Sequence, residues 1–331
     1  MKTLLRAHQA LLTLSTLAAL LCFAPLAAQA QYEYVTNNGT ITITRYIGPG
    51  GDVSIPSTID GLPVTTIGYH AFMECFNLNS VTIPNSLTRI GASAFERCTS
   101  LTSVMIGNGV TLIGDLAFAT CTNLTAITVD PLNLVYCSAD GVLFDKSKTT
   151  LITCPGGKTG SYIIPNSVTS IGDCAFRLCS SLTNVTIPAS VQTIKDWAFL
   201  YCTKLTRAYF KGNAPYWGWV TIFAYDPDVF VLYLPGTTGW GTTYGDRPTA
   251  PWYLPNPVIL TLPPYFGVRT NRFGFIISWA TNASVAVEAC TNLANPTWSP
   301  VGTNILTDGW SYFSDPEWTN YPARFYRLRS P

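Results

Sequence analysis

Apolar residues recur through the middle of the chain at fixed positions within a block of 23 residues. The pattern I-[GK]-x-x-A-F-x-x-C-x-x-L begins at Ile67, Ile90, Ile113, Ile171 and Ile194. Successive copies start 23 residues apart, except for one step of 58 residues that contains 35 extra residues. Because one block cannot bury its apolar side alone, the repeats predict a stack of coils, a solenoid, with one enlarged coil.

Each block pairs a compact turn with a short strand. Val81 and Ile83 alternate with Ser80 and Thr82. This period of two predicts a strand that turns its aliphatic side chains inward. Pro84 ends the strand, because proline has no N–H to donate to a β-ladder. The recurrent Ala-Phe pair predicts a short helical turn close over the core.

The longer pattern I-G-x-x-A-F-x-x-C-x-x-L-x-x-V-x-I-P-x-x-[VL] resembles the BspA-type leucine-rich repeat of bacterial surface proteins. Its leucine and strand positions are Leu78, Val81 and Ile83 in the first copy, and the resemblance covers residues 48–257. It implies a right-handed repeat solenoid with a parallel β-sheet face and short helical turns. It also implies roles in surface adhesion and protein binding, and it supplies no catalytic residues to transfer to this chain.

The two ends of the repeat array need caps, because a stack of strands otherwise exposes its edges. Two strand-like segments joined through Asn37-Asn38-Gly39 predict a capping hairpin, since Asn-Gly favours a tight hairpin turn. After residue 264, strand-like segments separated by Asn, Pro, Gly and Asp predict a small antiparallel sandwich, which resembles short C-terminal modules of secreted bacterial proteins. The expected divisions are a signal peptide at 1–30, an N-terminal cap and first half-repeat at 31–66, leucine-rich repeats at 67–206 with an enlarged coil at 131–168, terminal coils and a C-terminal cap at 207–250, a proline-rich linker at 251–264, and a small β-sandwich-like module at 265–331.

The first 30 residues predict export. They combine Lys2 and Arg6 with an apolar stretch from Leu11 to Leu26 and an A-x-A cleavage pattern that ends at Ala30. The stretch is too short and too interrupted for a membrane span. We therefore expect cleavage after Ala30 and no stable membrane insertion afterwards. The expected location is extracellular or at the cell surface, with the periplasm left open.

The charge balance argues against nucleic acid as a partner. Without Lys2 and Arg6, 17 basic residues stand against 18 acidic residues, so the surface gains little from the release of counterions from phosphates. Only 11% of the residues are charged, and abundant Thr, Ser and Asn predict a neutral polar surface. Such a surface suits an extracellular protein or a polysaccharide as the partner.

The recurrent cysteine of the repeat predicts a column of buried reduced thiols. Equivalent residues in a solenoid stack with parallel Cβ atoms, about one strand spacing apart. That spacing is slightly too long for a relaxed disulfide, and the arrangement does not converge on a tetrahedral zinc ion. Cys137 and Cys154 in the enlarged coil are the alternative, a disulfide pair in an oxidising compartment. The column consists of Cys75, Cys98, Cys121, Cys179 and Cys202.

Neither catalysis nor a cofactor is expected. After removal of the leader, His70 is the only histidine, so a Ser-His-Asp or Cys-His site could form only around it. The sequence has no H-E-x-x-H motif, no D-x-D-x-D-G loop and no glycine-rich phosphate loop, so it predicts no metal or nucleotide site. The scattered acids are interpreted as solvated surface residues. They are Asp115, Asp130, Asp173 and Asp196.

The outward strand positions carry the candidate binding residues. Most of them are small and polar, such as Ser80 and Thr82, but they become basic and aromatic near the C-terminal end of the repeats. Exposed aromatic rings beside polar groups stack on sugars or anchor protein partners. The alternative is that these rings fill the core of the cap. The candidates are Arg207, Tyr209, Tyr216, Trp217 and Trp219.

Together these features predict a secreted or cell-surface, non-enzymatic repeat protein that mediates adhesion or binds protein or glycan through its solenoid surface. Two alternatives stay open at this point. The first is a structural component of an envelope or matrix without a discrete ligand. The second is a hydrolase whose site lies in the enlarged coil or the C-terminal module.

Overall fold

The computed structural model describes residues 31–218 and 220–330. The expected signal peptide at 1–30 lies outside the described residues. Within them the chain divides into two compact units, residues 31–158 with 174–180 and residues 159–173 with 181–330. The first unit contains the N-terminal hairpin and the first three repeats, the fourth repeat is divided between the two units, and the second unit contains the fifth repeat and the C-terminal module.

The first unit consists of short strands joined by turns. Its described strands are β1 (Tyr32–Asn37), β2 (Thr40–Tyr46), β3 (Gly51–Ser54), β4 (Thr58–Ile59), β5 (Leu62–Ile67), β6 (Leu78–Ile83), β7 (Arg89–Ile90), β8 (Ser103–Ile106), β9 (Leu112–Ile113), β10 (Ala126–Val129), β11 (Tyr136–Ala139), β12 (Val142–Asp145) and β13 (Thr150–Thr153).

Two parallel sheets run through the coils of the first unit, where one was expected. The longer strands form the first sheet in the order β10-β8-β6-β3, and the short strands β5, β7 and β9 form the second. The second sheet exists because the isoleucine of each Ile-Gly pair and the residue before it, such as Ile90 and Arg89, are also extended and pair with the next coil. The hairpin β1–β2, which turns at Asn38 and Gly39 as expected, pairs β2 with β5 and covers this sheet.

Inward side chains form the core of the first unit. Val81 and Ile83 are buried while Thr82 between them is exposed, which confirms the inward period of two. The phenylalanines of successive repeats stack on one another. The ring centroids of Phe72 and Phe95 are 4.8 Å apart, and those of Phe95 and Phe118 are 5.4 Å apart. Each coil therefore buries its apolar side against its neighbours, as a repeat solenoid requires.

The turns at the Ala-Phe pairs are not helical, which corrects the expected short helical turns. His70 and Glu74 have φ values of 58° and 60°, a left-handed conformation that a right-handed helix does not contain. Along each turn, the backbone N–H groups alternate between an acceptor within the turn and an acceptor in the next coil. Met73 N–H donates to the His70 carbonyl within the turn at 3.0 Å, whereas Phe72 N–H donates to Ala94 in the next coil at 2.7 Å. The turns thus add a third hydrogen-bonded connection between coils.

The glycine of the Ile-Gly pair is needed for close approach between coils. A Cβ on Gly91 would lie 2.6 Å from the carbonyl carbon of Gly68 in the preceding coil, so any larger residue would push the coils apart. The repeated glycine is explained by this contact rather than by backbone flexibility.

The cysteines of the column form no disulfides, as expected, and four of the five are buried, whereas Cys75 is half-buried. Cys98 is fully buried and donates its thiol hydrogen to the carbonyl oxygen of Phe72 at 3.0 Å, and Cys121 does the same to Phe95 at 3.1 Å. The neighbouring Cys121 thiol, with burial in addition, raises the pKa of Cys98 to about 12. Each thiol therefore connects its coil to the preceding one.

The enlarged coil forms an antiparallel meander of β11, β12 and β13. The predicted hairpin is present, and β11 adds a third strand to it. Cys137 and Cys154 are both free, so the alternative disulfide is not formed. The Cys137 thiol instead donates to the carbonyl oxygen of Asp145 at 3.1 Å across the hairpin.

The second unit continues the repeats and ends in a separate module. Its described elements are β14 (Gly160–Ile163), β15 (Ser170–Ile171), β16 (Leu182–Ile187), β17 (Thr193–Ile194), β18 (Arg207–Phe210), β19 (Tyr216–Trp217), β20 (Phe230–Tyr233), β21 (Thr243–Tyr244), β22 (Arg247–Pro251), β23 (Val258–Leu260), β24 (Gly267–Arg269), β25 (Arg272–Ser278), β26 (Ser284–Cys290), β27 (Ser299–Ile305), β28 (Trp310–Asp315), a 3-10 turn at Trp318–Asn320, and β29 (Phe325–Arg329).

Two parallel sheets again follow the coils in the second unit. The longer strands run in the order β14-β16-β18-β20-β22, and β21 ends the sheet by an antiparallel hairpin with β22. The short strands pair in the order β15-β17-β19. The buried cysteine of this part of the column is Cys202, and the equivalent position in the next coil is the buried acid Asp226.

The segment 251–264 differs from the expected proline-rich linker. Its strand β23 pairs with β25 of the C-terminal module, with Leu260 opposite Ile276. Leu234, Leu260, Leu262 and Ile276 form one buried cluster, so the segment joins the last coil to the module by packing. The prolines do not prevent this, because residues 258–260 are a proline-free run long enough for three ladder positions.

The C-terminal module is a small sandwich of two antiparallel sheets, as its strand-like segments predict. In one sheet β25 pairs with β23, β24 and β28, and the other has the order β27-β26-β29. The buried carboxylates of the module, Glu288 and Asp315, form ion pairs with arginines. Glu288 lies 2.6 Å from Arg327, and Asp315 lies 2.9 Å from Arg324. The core between the sheets contains Phe275, Ile277, Val285, Val287, Leu306 and Phe313.

Candidate binding surface

The structure separates the predicted binding residues into two groups. Arg207 and Tyr209 lie on β18, within the sheet of longer strands, whereas Tyr216 and Trp217 lie on β19, within the sheet of short strands. Trp219 lies outside the described residues. The five residues therefore do not form one site, although they are close in sequence.

Arg207 and Tyr209 belong to two rows of outward side chains. Arg207 pairs in register with Asn184 on β16 and with Phe230 on β20. Tyr209 pairs in the same way with Thr186 on β16 and with a leucine on β20. Because alternate strand residues point to the same face, these rows run side by side across the sheet.

A groove of about 450 Å³ opens beside these rows. Arg207 and Asp228 lie on its rim and are exposed, and Phe230 on its lining is 52% exposed. Leu232 completes the apolar part of the lining. The groove thus offers an apolar surface flanked by one positive and one negative side chain.

Tyr209 is half-buried and packs against Trp252. The ring centroids are 4.6 Å apart with the planes tilted by 45°. Trp252 follows β22 in the chain, so the ring of Tyr209 is part of the contact between the last coils. One face of the Tyr209 ring is therefore occupied by protein.

Tyr216 and Trp217 lie beside a second groove of about 340 Å³. Tyr216 is 69% exposed, whereas Trp217 is half-buried with its ring edge toward Tyr244, 6.4 Å between centroids. Tyr244 is buried and donates its hydroxyl hydrogen to the Pro215 carbonyl at 2.9 Å, and burial raises the pKa of Tyr244 above its usual range. Trp217 thus contributes to packing in the cap, and Tyr216 is the freely exposed ring of this pair.

Besides Thr206 and Asp228, two apolar groove residues were not predicted from the sequence, Phe230 and Leu232. Each lies 23 residues after a predicted candidate, Phe230 after Arg207 and Leu232 after Tyr209. The repeat period was therefore the signal that could have found them. It was obscured because the consensus around these strands degenerates.

The residues considered for catalysis have other surroundings. The ring of His70 stacks on Tyr69 with 3.5 Å between centroids. Asp173 forms an ion pair with Lys195 at 3.4 Å, and Asp196 accepts a hydrogen bond from the backbone N–H of Val220 at 3.3 Å. Among residues 31–218 and 220–330, no three His, Cys, Asp or Glu side chains form a group that could hold a metal ion. In the same residues, no helix has the length and apolar character needed to cross a membrane.

Comparison with known proteins decides the family. The sequence profile of the BspA type leucine rich repeat region matches residues 52–159 and 156–218 in six copies, which is half of the chain. The chain belongs to the BspA-type leucine-rich repeat family. Repeats of this BspA type are usually non-enzymatic scaffolds. No curated protein matches the chain.

Several solved structures resemble this BspA-type protein. The leucine-rich repeat protein of T. pallidum is 31% identical, with 60% of this chain and 88% of that chain covered and a TM-score of 0.43. The pneumococcal vaccine antigen PcpA is 18% identical, with 61% and 79% covered and a TM-score of 0.39. A leucine-rich cell surface protein of Faecalibacterium prausnitzii is 21% identical, with 61% and 86% covered and a TM-score of 0.31.

Proposed function

We propose that the protein is an exported, non-enzymatic recognition protein that binds an extracellular protein through the outward face of β16, β18 and β20. One observation carries this proposal. Along this sheet, the small polar side chains of β16 give way to Arg207 on β18 and to the exposed Phe230 on β20, beside a groove. The name strand-face groove is used below for Arg207, Asp228, Phe230 and Leu232.

The chemistry of the strand-face groove fits a protein partner. Aromatic and arginine side chains are the commonest anchors of protein interfaces, and flanking charges orient the partner. The groove lining combines the apolar side chains of Phe230 and Leu232 with the charged side chains of Arg207 and Asp228, which is such a combination. For this surface the protein partner is therefore favoured over the polysaccharide.

Export supports the same function. Residues 1–30 have the composition of a signal peptide, and BspA-type proteins are typically found at the surface or secreted. One solved relative is itself named a cell surface protein. We therefore place the protein outside the cell or at its surface, where an extracellular partner is available.

The proposal is tested by binding to arrays of extracellular proteins and of glycans. The wild-type chain is compared with the double variant Arg207→Ala/Phe230→Ala, which removes two exposed side chains of the strand-face groove. The matched control is Arg89→Ala/Met105→Ala, because both residues are exposed on strands of the first unit and have similar chemistry. Thermal melting checks that all three proteins are folded.

Saturable binding to a protein that the groove variant loses and the control keeps is the expected result. If only glycans bind, and they bind through this groove, the partner is a polysaccharide and not a protein. If the wild-type chain binds nothing saturably, the protein is a structural component of an envelope or matrix, and the proposal is wrong.

A further inference from the structure

The C-terminal sandwich has a third groove, of about 750 Å³, on the outer face of the sheet that contains β25. Side chains of β25 and β28 alternate between the two faces. Phe275 and Phe313 face the core, whereas Arg272 and Tyr312 line the groove. The groove therefore lies on the outside of the sandwich, in a different module from the strand-face groove.

Aromatic rings form the floor and one wall of this groove. A Cβ on Gly274 would collide with the hydroxyl oxygen and Cζ of Tyr312, so the Tyr312 ring lies across β25 where a side chain is missing. Tyr265 stands at an angle of 63° to Tyr312, with 6.3 Å between ring centroids. Trp310, two residues before Tyr312 on β28, is on the same face and is 41% exposed. Gly274 thus allows a flat ring to lie open to solvent.

Two arginines stand directly opposite each other at one end of the groove. Arg269 and Arg272 are paired in register on β24 and β25, on either side of a turn at Thr270 and Asn271 with φ values of 44° and 60°. Like charges in opposite positions on two strands destabilise a sheet. The guanidinium of Arg269 lies 5.5 Å from the ring centroid of Tyr265, so it is held over the aromatic wall. The repulsion between the two guanidinium groups therefore destabilises this part of the sheet.

The other arginines of the module have acidic partners. Arg324 pairs with Asp315, and Arg327 and Arg329 both pair with Glu288. In the part of the chain that the structure describes, neither Arg269 nor Arg272 forms an ion pair, and the groove lining contains no acidic side chain. The groove is therefore positively charged and has no internal carboxylate to neutralise it.

We propose that this groove binds an acidic polysaccharide, with a uronic acid ring stacked on Tyr312 and its carboxylate held between Arg269 and Arg272. Arginine matches a carboxylate with two parallel hydrogen bonds, and an exposed flat ring presents an apolar face to the C–H bonds of a sugar. An anionic ligand also removes the repulsion between the two guanidinium groups. This site adds an anionic glycan to the proposed protein partner and does not depend on the strand-face groove.

The test is calorimetric titration of the full chain with oligogalacturonate and with the same oligosaccharide methyl-esterified, which keeps the sugar rings and removes the charges. The variants are Arg269→Ala/Arg272→Ala, Tyr312→Ala and Tyr312→Phe. The charge-matched control is Arg45→Ala/Arg89→Ala, because both arginines are exposed on strands of the first unit. Polyglutamate serves as a carboxylate polymer without sugar rings, and melting curves confirm folding.

We expect oligogalacturonate to bind at least tenfold more tightly than its ester, and more weakly at high salt. The double arginine variant and Tyr312→Ala should each lose at least tenfold in affinity, whereas Tyr312→Phe and the control should stay within twofold of wild type. Equal losses in the control variant, or equally tight binding of polyglutamate, would overturn the proposal. Arg207→Ala/Phe230→Ala should leave glycan binding unchanged, so failure of this site is distinguishable from failure of the strand-face groove.

Discussion

The cysteine of each repeat has a structural role that its chemistry explains. In the first unit Cys98 and Cys121 are fully buried, and each thiol donates to a phenylalanine carbonyl in the preceding coil. A small apolar side chain with one weak donor fits this position. In the second unit Asp226 occupies the equivalent position after Cys202 and is 2% exposed. Burial disfavours the charged carboxylate, so this single substitution places an unfavourable titratable group in the core.

Stability should depend on pH through Asp226. Burial raises its pKa to about 7, although the Cys202 backbone and the Arg247 charge lower it. In the unfolded chain an aspartate titrates near pH 3.9. Folding therefore favours the neutral acid. Its stabilising contribution to the free energy of unfolding is complete below about pH 4, decreases as the pH rises to about 7 and is constant above that. The total loss is roughly 4 kcal/mol.

Asp226→Asn should remove this dependence. We expect the variant to melt at a higher temperature than wild type at pH 8 and to show a smaller decrease between pH 5 and 8. The matched control is Asp228→Asn, because Asp228 is an exposed acid two residues away. Melting curves that fall equally with pH in wild type and in Asp226→Asn would contradict the assignment.

Replacement of a buried cysteine of the column should lower the free energy of unfolding. Cys98→Ala removes the hydrogen bond to Phe72 and leaves a small void, so we expect a loss of about 1–3 kcal/mol in the free energy of unfolding. Cys75→Ala is the control, since Cys75 occupies the same position in the first coil, is half-buried, and lies 4.0 Å from its acceptor, the Met73 carbonyl. Denaturant titration measures both, and equal losses would show that the buried hydrogen bond contributes nothing.

At the scale of elements, the regular strands could be predicted and the turns could not. The alternation around Val81 and Ile83 is set by which side chains must be buried, and that pattern is visible in the residues themselves. The turns depend on left-handed residues such as His70 and Glu74, which carry no shared signature. The packing of 251–264 was hidden because its prolines dominate the composition, whereas the run 258–260 that forms β23 is short.

The binding face could be predicted only in part for a similar reason. Arg207 and Tyr209 follow from the outward period of β18. Tyr216 and Trp217 were grouped with them by nearness in sequence, but the chain turns a corner of the coil between β18 and β19 and places them on another sheet. Contacts between coils join residues about 23 positions apart, so Phe230 is the true neighbour of Arg207.

Removal of the terminal coils should expose a sheet edge. A chain that ends at residue 206 lacks β18, β20 and β22, so β16 loses one of its two parallel partners and the apolar inner face of the last coil is uncovered. We expect this fragment to aggregate. Size-exclusion chromatography beside the full chain measures this, and a soluble fragment 31–206 that unfolds cooperatively would show that the terminal coils are not needed as a cap.

At the scale of the whole molecule, the composition agrees with a protein that works outside the cell. Charged residues make up 11% of the chain, and the outward strand positions of the first unit are mostly small and polar. Aromatic and basic side chains are concentrated in two grooves of the second unit. The repeats form the scaffold, and these two grooves are the proposed recognition surfaces.

The proposed export gives a prediction about the N-terminus of the secreted chain. Cleavage after Ala30 should make Gln31 the first residue of the secreted protein, which N-terminal sequencing determines. Ala30→Leu should block cleavage, because the cleavage site requires a small residue there. Ala27→Leu is the matched control and should be cleaved normally. A secreted chain that still begins at Met1 would contradict the assignment of residues 1–30 as a cleaved signal peptide.

The most direct test of the proposed function is the dissociation constant of the array-selected protein partner for Arg207→Ala/Phe230→Ala and for Arg89→Ala/Met105→Ala. The account predicts at least tenfold weaker binding by the first variant, about 1.4 kcal/mol or more, and binding within twofold of wild type by the second. Equal dissociation constants for the two variants would contradict recognition through the strand-face groove.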